Sequence, residues 1–199
     1  MNTEQHITPS PPIFTVLLIG ACIYIAIVTQ LGKNALANTL FYITLSPGLA
    51  EIRQGEVWRL ISPILLHFGW MHLLFNIINL FILGRIFEAL KGNLAFLLIV
   101  LVMGLASNFA QYLWQGPYFG GLSGVIYGLL GYFWFYGKFK PRAAVRLPSG
   151  MVWLMLIWFL LCWIGVIPNV ANMAHTVGLL IGMAIGFVEA HWSDPRFDH

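Results

Sequence analysis

Six long apolar runs alternate with short polar breaks along most of the chain. They fall at roughly Ile13–Leu31, Met71–Ala89, Leu94–Trp114, Gly121–Tyr136, Met151–Val166 and Val170–His191. A helix needs roughly 20 such residues to cross a hydrocarbon layer about 30 Å thick. Within lipid a helix satisfies its own backbone hydrogen bonds, so each run predicts a transmembrane helix. The expected fold class is an all-α polytopic membrane protein with six transmembrane helices. The stretch from Gly32 to Trp70 breaks the alternation. It mixes Leu40, Phe41, Ile43, Leu45, Val57, Trp58 and Leu60 with charges, Pro47 and Pro63. That length and apolar content predict a structured loop, half-embedded in the interface between the first and second helices.

Composition agrees with lipid as the main solvent. The chain is 59% hydrophobic and 9% charged, against about 25% charged in soluble domains. Its net charge of +3 is then a topology signal. No basic stripe with interleaved aromatics lies outside the loops, which argues against nucleic acid as a partner. Arg85, Lys91, Lys138, Lys140, Arg142, Arg146 and Arg196 fall on one side of the six spans; Lys33, Arg53 and Arg59 fall on the other. The positive-inside bias puts both termini in the cytoplasm. The starts of the second, fourth and sixth helices then face outward. The organisation expected is a short leader (residues 1–12), a membrane domain (13–191) and a tail (192–199). The first run lacks a convincing cleavage site and reads as a retained span. Cys22 and Cys162 sit within apolar runs without ligand partners at metal spacing, and read as buried hydrophobes. No metal or cofactor is expected.

Polar groups inside a membrane are costly and each needs a reason. The second helix carries His72, Asn76 and Asn79 at i, i+4 and i+7, on one stripe. Asn79 reads as polar glue between helices; His72 with Asn76 reads as functional. The fourth helix opens on Gly120-Gly121-Leu122-Ser123-Gly124. Ser123 thus lies near a helix N-terminus, where free N–H groups and the dipole favour an anion. The sixth helix carries His175, with Ala171, Gly178, Gly182 and Gly186 on the same face. The fourth has a matching small face of Gly124, Gly128 and Gly131. Small faces let helix backbones approach closely, which predicts close packing that brings His175 up to Ser123. Counting from Asn169, His175 is expected about 9 Å below the helix start at about 1.5 Å per residue. Ser107 and Gln111, at i and i+4 on the third helix, fit a water path or plain packing equally well.

A serine hydroxyl attacks only when a base takes its proton, and histidine suits that task. None of the seven acids (Glu4, Glu51, Glu56, Glu88, Glu189, Asp194, Asp198) falls in the outer half of a predicted membrane helix. A Ser123–His175 dyad is therefore the economical reading. Tyr127, one turn along from Ser123, is placed to pack on the imidazole in lieu of an orienting acid, and Asn172 to support it. The Ser123 N–H, His72 and Asn76 are candidate oxyanion donors.

These residues resemble the rhomboid intramembrane serine proteases, in their bacterial six-helix form. The matching pieces are Trp58-Arg59, His72-x-x-x-Asn76, Gly121-Leu122-Ser123-Gly124 and Ala174-His175-x-x-Gly178-x-x-x-Gly182. They occur in family order over about residues 56–188. The resemblance implies a rhomboid-like fold, Ser123 as nucleophile, His175 as base, and an oxyanion hole of His72, Asn76 and the Ser123 amide. It implies structural roles for Trp58, Arg59 and Glu88, and a lateral gate at the fifth helix. The implied substrates are single-span membrane proteins, cut near the outer face after a small residue, and the implied setting is the bacterial inner membrane. Pro63 stands where relatives can carry another histidine near the water site. Two other classes remain: a membrane haem or metal protein using His67, His72 and His175, and a non-catalytic rhomboid-like chaperone or small transporter.

Overall fold

The computed structural model describes residues 11–140 and 146–192. The leader up to Ser10, Arg142, Arg196 and the tail after Trp192, which enter the topology reading, lie outside the described residues. Six long helices match the six apolar runs: α1 (Ile13–Val28), α4 (Trp70–Lys91), α5 (Asn93–Gln115), α6 (Ser123–Phe139), α7 (Ser149–Trp163) and α8 (Asn172–Trp192). Two short helices, α2 (Ala35–Asn38) and α3 (Ala50–Arg53), and two 3-10 turns fill the segment between α1 and α4.

By length and composition α4, α5 and α8 can each cross a membrane. The other three are shorter, at 16, 17 and 15 residues for α1, α6 and α7. Three helix starts differ by two residues from the hydropathy pattern: α6 begins later, at Ser123 rather than Gly121, α8 later, at Asn172 rather than Val170, and α7 earlier, at Ser149 rather than Met151. Gly121 has a φ of +121°, and Asn169 a φ of +59°, so the chain turns just before α6 and α8. Apolarity alone does not register such turns. His175 therefore lies in the first turn of α8, about 4.5 Å from its start at about 1.5 Å per residue, half the depth expected.

α6 is the centre of the bundle: twelve of its seventeen residues are buried, from Gly124 through Gly137. Its tightest neighbour is α8, and glycine makes the contact possible. A Cβ on Gly178 would strike the Gly124 carbonyl, one on Gly182 the Gly128 carbonyl, and one on Gly186 the Tyr132 carbonyl. The two backbones touch along three successive turns, as close as helices of small residues allow.

Side chains reaching across the chain tie the remaining elements down. The buried Glu88 carboxylate accepts from the N–H groups of Phe14 (2.9 Å) and Thr15 (2.8 Å), two amides that α1 itself leaves without acceptors. Lys91 pairs with Glu189, which also accepts from Tyr132 Oη at 2.9 Å, joining α4, α6 and α8. In the loop, buried Arg59 donates to the carbonyls of Thr39 (2.6 Å) and Tyr42 (2.9 Å) and pairs with Glu56. Asn108 of α5 donates to the Leu60 carbonyl at 2.9 Å, docking the loop on the bundle.

Glu51 organises the loop's outer edge. Its carboxylate accepts from the Thr44 hydroxyl, the Leu45 N–H (3.1 Å) and the Ser46 hydroxyl (2.9 Å). These donors, Thr44 foremost, hold its carboxyl down from 4.5 to about 2. A carboxyl depressed in the folded state adds stability above its unfolded value, and that contribution is lost as pH falls through the folded value. Amide protection of residues 44–51, normalised for intrinsic exchange, is therefore expected to fall as pH drops from about 4.5 toward 2. In Glu51→Gln that pH dependence should vanish. An identical profile in the variant would show that Glu51 does not order this edge.

Candidate active site

The approach to Ser123 is built by the loop. The Gly121 N–H donates to the Pro63 carbonyl at 2.9 Å, which seats the chain just before α6. Only glycine fits there. Besides its positive φ, a Cβ on Gly121 would lie 2.6 Å from His72 Nε2 and 3.7 Å from Ser123 Oγ. The same construction shows that the His72 imidazole and the Ser123 hydroxyl flank one small space above Gly121. Ser123 is the first residue of α6, so its N–H belongs to the set that a helix leaves without internal acceptors.

His175 arrives from the other side. Its Nε2 lies 2.7 Å from Ser123 Oγ, and its ring is buried. With Nε2 accepting from the hydroxyl, Nδ1 carries the ring proton, and among the described residues Nδ1 meets no acceptor. Among the described residues no carboxylate hydrogen-bonds this histidine. The Tyr127 ring lies against it instead, with centroids 4.6 Å apart and planes tilted by 34°. Tyr127 is itself fixed by its hydroxyl, which donates to the Met155 carbonyl of α7 at 3.0 Å.

His72 accepts a hydrogen bond at Nδ1 from the Phe68 N–H, 3.3 Å away. A neutral imidazole accepting at one nitrogen carries its proton on the other. Nε2–H therefore points a donor into the space above Gly121. Buried Asn76 donates from its amide to the His72 carbonyl at 2.8 Å, and its second amide hydrogen is not used by that bond.

The other polar residues take different places. Asn79 turns back on its own helix, donating to the Phe75 carbonyl one turn away at 2.8 Å. Asn172 makes no hydrogen bond to the His175 ring. Its amide donates to the Cys162 carbonyl at 3.2 Å and so holds the start of α8 to the end of α7. Ser107 donates to the Met103 carbonyl and packs where a Cβ on Gly124 would fall. Gln111 Oε1 accepts from the N–H groups of Met173 (3.0 Å) and Ala174 (3.2 Å). It caps α8 from α5, two residues before the histidine. The i, i+4 spacing singled out Gln111, but a cap supplied 62 residues away leaves no trace in local sequence. The Pro63 carbonyl under Gly121 was equally hidden, since any residue offers a carbonyl.

A serine starting one buried helix and a histidine in the first turn of another, joined inside an apolar bundle, define a polytopic helical protein with an internal Ser–His pair. The Rhomboid domain matches residues 54–192, and the chain belongs to the rhomboid family. It is similar to the Rhomboid protease GlpG of Enterobacter sp. (strain 638), 33% identical over 177 residues, 88% of this chain and 63% of that protein. It is also similar to those of Klebsiella pneumoniae subsp. pneumoniae, 35% identical over 170 residues (85% and 62%), and Salmonella typhi, 32% identical over 164 residues (82% and 59%). The chain spans about three fifths of the length of these curated relatives.

Proposed function

We propose that this chain is an intramembrane serine endopeptidase acting on single-span membrane proteins. The observation that carries the reading is the 2.7 Å contact between His175 Nε2 and Ser123 Oγ. Ser123 Oγ attacks the scissile carbonyl carbon while His175 Nε2 takes its proton. The developing oxyanion is held by the Ser123 N–H, His72 Nε2–H and Asn76. His175 then passes its proton to the leaving amine, and water releases the acyl group by the same steps in reverse. Tyr127 holds the imidazole where an acid does so in soluble enzymes. Gly121, Gly178 and Gly182 keep the two reacting side chains in reach.

All six long helices cross the inner membrane of a bacterium, with both termini in the cytoplasm and the Ser123 end outward. The loop before α4 lies half-embedded in the outer leaflet. Cleavage falls near that face, after a small residue. Helix-breaking residues nearby lower the cost of exposing the bond.

The test is incubation of purified protein with a model single-span substrate, beside fluorophosphonate labelling of wild type and Ser123→Ala. Cleavage with labelling confined to wild type is expected; no cleavage and no labelling of wild type would sink the reading. Asn76→Ala should slow turnover about 10²–10³-fold, the usual cost of an oxyanion donor. A loss under about threefold in turnover of the same substrate would reduce Asn76 to a brace for the His72 carbonyl.

A further inference from the structure

His67 is a buried histidine to which the Ser–His mechanism gives no task. It lies in the turn before α4, fully enclosed, its ring centroid 5.1 Å from that of His72 and the two planes tilted by 58°. Its Nδ1 is 3.1 Å from the Leu65 carbonyl. A carbonyl only accepts, so in the neutral ring Nδ1 carries the proton and Nε2 is bare. Burial, and after it the neighbouring His72, lower the His67 pKa to about 4, which leaves the ring neutral near pH 7. Nε2 meets no partner among the described residues. Moving the proton there would break the bond to Leu65 and bury a donor without an acceptor.

The turn is pinned on either side of this ring. The Leu66 and Gly121 N–H groups both donate to the Pro63 carbonyl, at 3.1 and 2.9 Å. The Gly69 N–H donates to the Leu31 carbonyl at 3.2 Å. Between these pins lies the Phe68 N–H, the donor that His72 accepts at Nδ1. That bond decides which His72 nitrogen carries the proton, and its donor belongs to the residue directly after His67.

We infer that His67 is a positioning residue: its bond to the Leu65 carbonyl holds the Phe68 amide on His72 Nδ1, and so keeps the His72 proton on Nε2, facing the oxyanion. The inference rests on the protease reading, in which His72 is an oxyanion donor. The other His72 tautomer would present a lone pair to the developing negative charge. Filling space does not account for His67, because a polar ring in a fully buried place is costly unless its hydrogen bond is used.

Nitrogen NMR of the full chain in detergent, with isotope-labelled histidine, reads which nitrogen of each ring is protonated. Wild type should show His67 protonated at Nδ1 and His72 at Nε2. His67→Phe fills the space without a donor and should mix the two His72 tautomers. It should lower kcat for a single-span substrate roughly tenfold with KM unchanged, part of the 10²–10³-fold that losing an oxyanion donor costs. His67→Asn sets an amide nitrogen about where Nδ1 stands, and should return the tautomer and bring kcat to within about threefold of wild type. A wild-type tautomer or wild-type kcat in His67→Phe would overturn the inference, as would equal losses in both variants. Wild-type His67 protonated at Nε2 would overturn it with no variant needed, so the test stands even where a variant does not fold. Fluorophosphonate labelling runs on the same samples. The expected tautomers with no cleavage and no labelling of wild type defeat the protease reading alone; cleavage and labelling with His72 protonated at Nδ1 defeat the role of His67 alone.

Discussion

Ser123→Ala is expected to lower cleavage of a single-span substrate by roughly 10⁴-fold or more, the scale seen when a serine nucleophile is removed. His175→Ala should do the same, and the double variant should be no worse than either single one, because the two residues act as a unit. The fold should survive the serine change. Ser123 Oγ bonds His175 Nε2, and a typical hydrogen bond contributes only about 1 kcal/mol. Alanine is also at ease in a helix. Thermal unfolding within a few degrees of wild type, with cleavage gone, is the expected pair of results. Residual turnover within tenfold of wild type would mean that another group attacks the peptide bond.

Gly182→Ala is the second large effect, and it comes from a residue that touches no reacting atom. Its new methyl would sit inside the van der Waals surface of the Gly128 carbonyl. Backbone is on both sides of that contact, so neither side can swing away. The helices must separate, and Ser123 and His175 ride on opposite partners. A displacement near 1 Å at the reacting atoms costs about 10²-fold, and Gly182→Leu should cost more. Gly20→Ala is the matched control: a Cβ there meets nothing within 4 Å, so activity should be unchanged. Wild-type cleavage by Gly182→Ala would show that the α6–α8 spacing does not set the geometry.

The sequence made some of this legible and hid the rest for physical reasons. The six apolar runs translate into six helices because burial in an apolar medium leaves a composition signal over many residues. The glycine faces of α6 and α8 were readable because small residues recur at helical spacing. Ser123 and His175 stood out as polar residues in apolar surroundings. The starts of α6 and α8 lie two residues later than the apolar runs, since a positive φ at Gly121 or Asn169 does not alter hydropathy. The cap that Gln111 provides for α8, the grip of Arg59 on Thr39 and Tyr42, and the Pro63 carbonyl under Gly121 are side chain to backbone or backbone to backbone. Backbone partners carry no residue identity, so no pattern along the chain can name them.

The two amides of α1 held by Glu88 have a consequence for biosynthesis. Their acceptor lies 74 residues downstream of Phe14. At about 5–20 residues per second, the ribosome delivers it roughly 4–15 s later. During that interval the opening turn of the nascent chain must leave those two donors to water or to lipid headgroups. If α1 spans the bilayer as proposed, it can enter early, but it docks on Glu88 only after α4 emerges, so insertion and assembly are separate events in time.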